Sequence, residues 1–152
     1  MCVVQIVEAD DNATIAHASA LLRLAGFERA ADDLKADGIN PEHEVVLIAL
    51  GDDRRPLGVV AGRQPFRVID DDEVERSNAL LTYVAVDPAQ RRRRIGSALV
   101  SAFCDRSRER GADYVVLQIG NPTAEHAATL ARFYLANDFA LAEHGFRRKL
   151  VG

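Results

Sequence analysis

Apolar residues in this chain fall into short continuous runs and into stretches that repeat every three or four positions. Continuous runs are typical of strands covered on both faces, and they occur at residues 45–50, 57–68, 80–86 and 114–119. Shorter β-branched or aromatic runs at residues 3–7, 139–142 and 146–151 predict three further strands. The hydrophobic pattern therefore predicts seven strands.

Four other stretches repeat as amphipathic helices do. The first follows a capping residue, Asp11 or Asn12, and stops at Gly26. The others cover residues 29–37, 96–110 and 124–137. The third is the clearest, because its apolar positions follow the i, i+3, i+4, i+7, i+8 rule at Ile95, Ala98, Leu99, Ala102 and Phe103.

The predicted order is β-α-α-β-β-β-α-β-α-β-β. The β-α-β stretch at residues 80–119 is expected to form a right-handed parallel crossover, and the remaining strands read as antiparallel. We therefore predict an α+β fold in which a mixed sheet carries helices on both sides. Gly58 and Gly62 are expected to mark bends in their strand.

Composition bounds the protein class without identifying a function. The 152 residues suit one domain covering residues 1–152, with 48% hydrophobic and 28% charged residues. The net charge of −4 gives no global attraction to nucleic acid or an anionic membrane. Two cysteines, no signal-peptide pattern and no long apolar stretch lead us to expect a cytoplasmic protein with no membrane partner.

The most informative passage joins a buried strand to a helix through four consecutive arginines, Arg91–Arg94. A helix start presents unpaired N–H groups and the positive end of the helix dipole, so it can bind an anion. Gly96 leaves room for close approach, and Ser97 can cap the helix or donate a hydrogen bond. A solvated arginine-rich turn before an ordinary helix explains these features equally well.

This passage resembles the acetyl-CoA-binding motif of the GNAT (Gcn5-related N-acetyltransferase) family, V-x-P-x-x-[QR]-x-x-G-x-[GA]. Val86, Pro88, Arg91 and Gly96 match it in register, whereas Arg94 occupies the first glycine position. The predicted element order is also the family's order. The later sequence Phe133-Tyr134-x-x-x-Asp138-Phe139 is similar to the family's L-Y-x-x-x-G-F ending, with Asp138 replacing glycine.

The resemblance implies a fold whose two parallel central strands splay apart at a β-bulge to admit acetyl-CoA as co-substrate. It implies that backbone groups of Val84 and Val86 hold the pantetheine arm. Asn121, which also reads as a turn residue before Pro122, is expected to reach the cofactor. The backbone amides expected to hold the pyrophosphate are those of Arg91, Arg92, Arg93, Arg94, Gly96 and Ser97.

The implied reaction is direct attack of a primary amine on the thioester in a ternary complex. The acceptor is an amine-bearing small molecule or a peptide or protein. Tyr134 stands where the family often places the acid that protonates the departing thiolate, although it also reads as a core tyrosine. No base is evident: Leu80 occupies the region where some relatives carry glutamate, and His144 or a water chain are the alternatives.

Several alternatives stay open at this point. A non-catalytic acyl-CoA-binding module is favoured by the missing base and by Arg94 and Asp138, and a nucleic-acid binder using the arginines has weak support. We expect no metal, because the histidines show no ligand spacing. The acidic loop at residues 70–75 could attract a cationic amine, and a homodimer is left open. Arg94 is expected in ordinary helical or bridge geometry.

Overall fold

The computed structural model describes residues 4–69, 72–117, 124–142 and 145–150, without the side chains of residues 91–93 and 124–126. The predicted order of strands and helices is confirmed. The strands are β1 Gln5–Glu8, β2 Glu44–Leu50, β3 Pro56–Ile69, β4 Glu75–Val86, β5 Tyr114–Leu117, β6 Ala140–Ala142 and β7 Gly145–Lys149. The helices are α1 Asn12–Leu24, α2 Glu28–Asp37, α3 Ile95–Glu109 and α4 Ala124–Ala136.

The strands form one mixed sheet in the order β1-β2-β3-β4-β5-β7-β6. The β4–β5 pair is parallel and the other pairs are antiparallel, as the sequence predicts. Strand β4 begins at Glu75, earlier than the predicted start at Leu80. Its polar first residues carry no apolar signal, and they become a strand because they pair with β3 from Val68 and Ile69 onwards.

Helices cover both faces of the sheet. Helices α1 and α2 bury one face, with Leu22 and Leu34 packed in a cluster that includes Ile48 of β2 and Val59 of β3. Helices α3 and α4 bury the other face, whose cluster includes Phe103 and Tyr134. None of the helices in the described part of the chain has both the length and the apolar character needed to cross a bilayer.

Two glycines of β3 allow helix α3 to pack closely against the sheet. A Cβ atom at Gly58 would lie 2.9 Å from Cδ1 of Leu99 and 3.1 Å from Cγ2 of Ile95. A Cβ atom at Gly62 would lie 2.5 Å from Cζ of Phe103 and would overlap the Leu80 carbonyl oxygen. The eight helical steps from Ile95 to Phe103 and the four strand steps from Gly58 to Gly62 both span about 12–13 Å, so helix α3 runs alongside β3 over this distance. The glycines therefore do more than mark bends, although Gly62 also adjoins a register shift.

Side chains and backbone together close the ends of two helices. Asp11 caps α1 by accepting the Thr14 N–H at 2.8 Å, and this bond holds the pKa of Asp11 below its ordinary value. Helix α4 ends in a Schellman motif, in which Phe139 N–H donates to the Tyr134 carbonyl and Asp138 N–H donates to that of Leu135. Asp138 has φ 69°, so it takes the left-handed conformation in which the family has glycine.

The segment between β4 and α3 is more ordered than the loop that the sequence predicts. Residues Pro88–Arg93 form a 3₁₀ helix, which Asp87 caps by accepting the Ala89 N–H at 3.0 Å. Arg94 then has φ 56° and ψ 28°, the left-handed region. The expectation of helical or bridge geometry for Arg94 is therefore wrong. The turn from the 3₁₀ helix into α3 requires the left-handed backbone, which favours glycine but admits other residues at a cost of about 1–2 kcal/mol.

The close packing of α3 on Gly62 predicts that Gly62→Ala destabilises the fold. The added methyl group meets backbone and an aromatic ring, neither of which can move freely. We expect a loss of about 2 kcal/mol or more in the free energy of unfolding, measured by urea denaturation. Gly51→Ala is the control, because its Cβ would sit 3.4 Å from Leu57 in ordinary contact. Equal stability of the two variants would contradict this packing.

The left-handed conformation of Arg94 predicts an order of stability among its variants. Arg94→Gly and Arg94→Asn should stay within about 1 kcal/mol of the wild type, because both residues enter this region easily. Arg94→Val should lose about 1–2 kcal/mol more, since a β-branched residue resists positive φ. Thermal unfolding of the three variants measures this order. A valine variant as stable as the glycine variant would show that the backbone at residue 94 is not left-handed.

Candidate active site

In the described part of the chain, the ladder between the parallel strands β4 and β5 covers only the first half of β4. The β4–β5 ladder pairs Asn78 with Tyr114, Ala79 with Val115 and Leu80 with Val116. Just beyond it, Leu81 pairs with Gly62 and Tyr83 pairs with Ala61 of β3, which leaves Thr82 as the extra residue of a β-bulge. Among the residues that the structure describes, no strand pairs with the second edge of β4 after Leu80. Over the described residues, the β4–β5 ladder thus ends at Leu80, which is consistent with the splayed pair that the resemblance implies.

The opened edge of β4 includes Val84 and Val86. Both residues are hydrogen-bonded in register with β3, to Val60 and Gly58, so only their second side is available. A strand edge presents N–H and C=O groups that can pair with any extended chain containing amides. Pantetheine is such a chain, and this geometry suits the role that the resemblance gives to Val84 and Val86.

The start of α3 lies directly beside this edge. The first helical bond runs from Ala98 N–H to the Arg94 carbonyl, at 3.1 Å, so the N–H groups of Ile95, Gly96 and Ser97 precede the internal ladder. These groups and the helix dipole favour an anion. A Cβ atom at Gly96 would lie 3.3 Å from the Phe133 ring and 3.7 Å from Val86. Strand edge, helix start and α4 therefore meet at Gly96.

The remaining predicted phosphate ligands are placed differently. The backbones of Arg91, Arg92 and Arg93 belong to the 3₁₀ helix, where N–H groups bond to carbonyls three residues earlier. Their part in binding pyrophosphate stays a prediction. The exposed side chain of Arg94 stands at the helix start. Asn121 and His144 lie outside the described residues.

Tyr134 lies in the last turns of α4 and is 7% exposed. Its ring is in contact with three others, with centroids 5.0 Å from Phe133, 5.5 Å from Phe139 and 6.0 Å from Phe146. Burial raises the pKa of the Tyr134 phenol to about 12, so it keeps its proton at neutral pH. Since Phe133 touches Gly96, Tyr134 stands one aromatic side chain away from the helix start.

Other reactive side chains fit structural roles. Cys104 is buried beside Phe103, and burial raises the pKa of its thiol to about 11, which disfavours a nucleophilic thiolate. Glu75, from the acidic stretch, pairs with Arg67 at 2.7 Å on the surface. Across the described ranges, no three His, Cys, Asp or Glu side chains are grouped to hold a metal ion.

Sequence reasoning missed a cavity of about 530 Å³ on the opposite face of the sheet. It lies between α2 and strands β2, β3 and β4, and it reaches the bulge at Thr82 and Tyr83. Its charged lining includes Asp33, Asp37 and Glu44. No local motif marks these residues, because they come from separate elements. The only sequence signal is the i, i+4 spacing of two aspartates on an amphipathic helix.

Solved structures share this architecture over nearly the whole chain. A protein from Desulfovibrio desulfuricans assigned to the GNAT acetyltransferases is 16% identical, with 98% of this chain and 100% of that chain covered and a TM-score of 0.76. An aminoglycoside 6′-N-acetyltransferase complexed with coenzyme A is 17% identical, with coverages of 97% and 98% and a TM-score of 0.73. A Trypanosoma brucei acetyltransferase is 18% identical, with coverages of 93% and 96% and a TM-score of 0.69.

These identities are low, so the structural likenesses establish the fold alone. No curated protein is similar enough in sequence to be matched. The family model described as the acetyltransferase (GNAT) family matches residues 12–138, which contain both the opened edge of β4 and Tyr134. The chain therefore belongs to the GNAT family of acetyltransferases.

Proposed function

We propose that this protein transfers an acetyl group from acetyl-CoA to the primary amine of a small molecule or peptide. The observation that carries the proposal is the opened edge of β4, which leads directly to the unpaired N–H groups at the start of α3. An extended amide chain ending in a pyrophosphate matches both features. Two aminoglycoside N-acetyltransferases with this fold are complexed with coenzyme A, which supports the choice of cofactor.

The cofactor is proposed to lie along β4 with its parts bound by different groups. Pantetheine would pair with the strand edge at Val84 and Val86, and the N–H groups of Gly96 and Ser97 would hold the pyrophosphate. Arg94, exposed at the helix start, would add a cation near the phosphates. The acetyl end would then lie at the bulge, where β4 and β5 part.

The chemistry proposed at that point is direct attack by the neutral amine on the thioester carbonyl. The carbon–nitrogen bond forms, a tetrahedral oxyanion develops, and the carbon–sulfur bond breaks to give the amide and a thiolate. Tyr134 donates a hydrogen bond and then a proton to the sulfur, and the proton that the attacking nitrogen releases to water restores the phenol. A phenol with a pKa of about 12 is a weak acid, but apolar surroundings also raise the basicity of the departing thiolate.

A non-catalytic acyl-CoA-binding module is the competing function. It is favoured by the absence of an evident base and by Arg94 and Asp138, which replace family glycines. Both residues nevertheless adopt the left-handed backbone that a glycine would supply, at φ 56° and 69°. The substitutions therefore leave the backbone conformation intact, and they give no reason to prefer the competing function.

Calorimetry of cofactor binding tests the phosphate part of the site. Acetyl-CoA should bind with one-to-one stoichiometry, and acetyl-pantetheine, which lacks the phosphates, should bind at least about tenfold more weakly. Arg94→Gly keeps the backbone geometry and removes one cation, so affinity should fall modestly and depend less on salt. Equal affinity for the two donors would contradict the site. Tenfold tighter binding by the glycine variant would make Arg94 an obstruction and favour the non-catalytic module.

Substitution of Tyr134 tests the proton donor. Tyr134→Phe should lower kcat by about 100-fold and leave acetyl-CoA affinity nearly unchanged, because only the hydroxyl is lost. Since the phenol has a pKa of about 12, the wild-type rate should show no loss from deprotonation of Tyr134 below about pH 10. Tyr114→Phe is the matched control, as that ring packs under Arg76 and Arg147. Full activity of Tyr134→Phe would leave Tyr134 as a core residue.

A further inference from the structure

The cavity between α2 and the sheet faces the reaction centre from the side opposite α3. Its floor includes Ala61 and Gly62 of β3 and Thr82 and Tyr83 of β4, which are the residues at the bulge. Its volume of about 530 Å³ is that of a site for a small molecule. A molecule in the cavity would therefore lie next to the point where the β4–β5 ladder ends. The proposed cofactor site along the edge of β4 approaches the same point from the other face of the sheet.

We infer that this cavity binds the acceptor and selects amines that carry a second cationic group. The inference rests on the proposed function and adds a substrate class to it. The acceptor needs one neutral amine to attack the thioester. A second, protonated amine some distance away would be held by the carboxylates of the cavity wall.

The charges that line the cavity favour a cation. Asp33 and Asp37 lie one turn apart on α2, about 6 Å along its axis, and Glu44 begins β2. Within the described ranges, none of the three carboxylates lies within 4.0 Å of a cationic group. Glu44 accepts only a long bond from the Asn40 N–H, at 3.4 Å.

The other charged groups of the cavity lining do not neutralise the three carboxylates. Arg63 lines the cavity and lies opposite Glu44 in the β2–β3 ladder, so three carboxylates face one guanidinium. Among the described residues that line the cavity, His43 and Tyr83 are the remaining ionisable groups. The aromatic ring of Tyr83 contacts the Phe27 ring in a tilted arrangement, with centroids 4.9 Å apart, and offers an apolar surface to the carbon chain of a diamine.

The outer face of the same helix provides a contrast. Asp32 also lies on α2, but it forms an ion pair with Arg23 of α1 and is absent from the cavity wall. Helix α2 thus carries one paired carboxylate outside the cavity and two carboxylates inside it that have no ion-pair partner in the described part of the chain. This arrangement supplies a matched control, since Asp32→Asn removes the same charge from the same helix.

The first experiment compares three acceptors of equal length: 1,5-diaminopentane, 1-aminopentane and 5-aminopentanoate. They share one reacting amine and differ in a distal ammonium, methyl or carboxylate group. With saturating acetyl-CoA, kcat/KM should fall in that order, by about tenfold at each step, and the differences should shrink at high salt. Equal rates for the three amines, or a preference for the carboxylate, would overturn the inference and leave N-acetyl transfer standing.

The second experiment tests which carboxylates act. Asp33→Asn combined with Asp37→Asn should raise KM for the diamine by about tenfold, change kcat little, and leave 1-aminopentane unaffected. Asp32→Asn should leave the diamine KM unchanged, and melting curves confirm that both proteins are folded. A similar rise in KM in both variants would show a general charge effect and overturn the site.

Binding measured without turnover separates this inference from the proposed function. Calorimetry should show 1,5-diaminopentane binding to the wild type in the presence of coenzyme A, and at least about tenfold more weakly to the double variant. If the diamine binds in this way but no amine is acetylated, the cavity site stands and the proposed reaction fails. If the diamine binds both proteins equally, the cavity assignment fails whatever the activity.

Discussion

A strand can hydrogen-bond along both edges only while a neighbour runs beside each of them, and among the described residues β4 has no pairing with β5 after Leu80. The remaining features of the site depend on where that pairing ends. The bulge at Thr82 shifts the register on the β3 side at almost the same position. Residues 81–86 therefore pair with β3 on one side, and no described strand pairs with them on the other. A rigid open edge is suited to an extended ligand that supplies the missing hydrogen bonds.

Helix α3 packs against the sheet beside the open edge of β4 without covering that edge. Ile95, Leu99 and Phe103 lie against β3, where Gly58 and Gly62 bring the helix close to the sheet. This contact places the start of the helix next to Val86, so that its N–H groups face the end of the groove. Gly96 completes the arrangement by letting the Phe133 ring approach. The same packing that stabilises the core therefore positions the proposed pyrophosphate site.

The two faces of the sheet offer contrasting environments to a reaction between them. On one face Tyr134 lies among aromatic rings, and its burial there raises the pKa of the phenol to about 12. On the other face the cavity is lined by carboxylates and stays polar. In the proposed reaction, a neutral amine would approach the thioester from the face that carries the carboxylates, at the border of the apolar face.

Local sequence determined much of this protein. The period of the apolar residues predicts the seven strands and four α-helices in the observed order, because burial on one or both faces sets that period. The strand–arginine–glycine passage also marks the helix start, since the N–H groups there follow from helix geometry alone. Tertiary structure decided the rest. The first residues of β4 are polar and became a strand through pairing with β3. Arg94 is left-handed because the 3₁₀ helix must turn into α3, a constraint that the arginine itself does not carry. The cavity joins Asp37, Glu44 and Thr82 from three elements, and only the packing of α2 on the sheet brings those residues together.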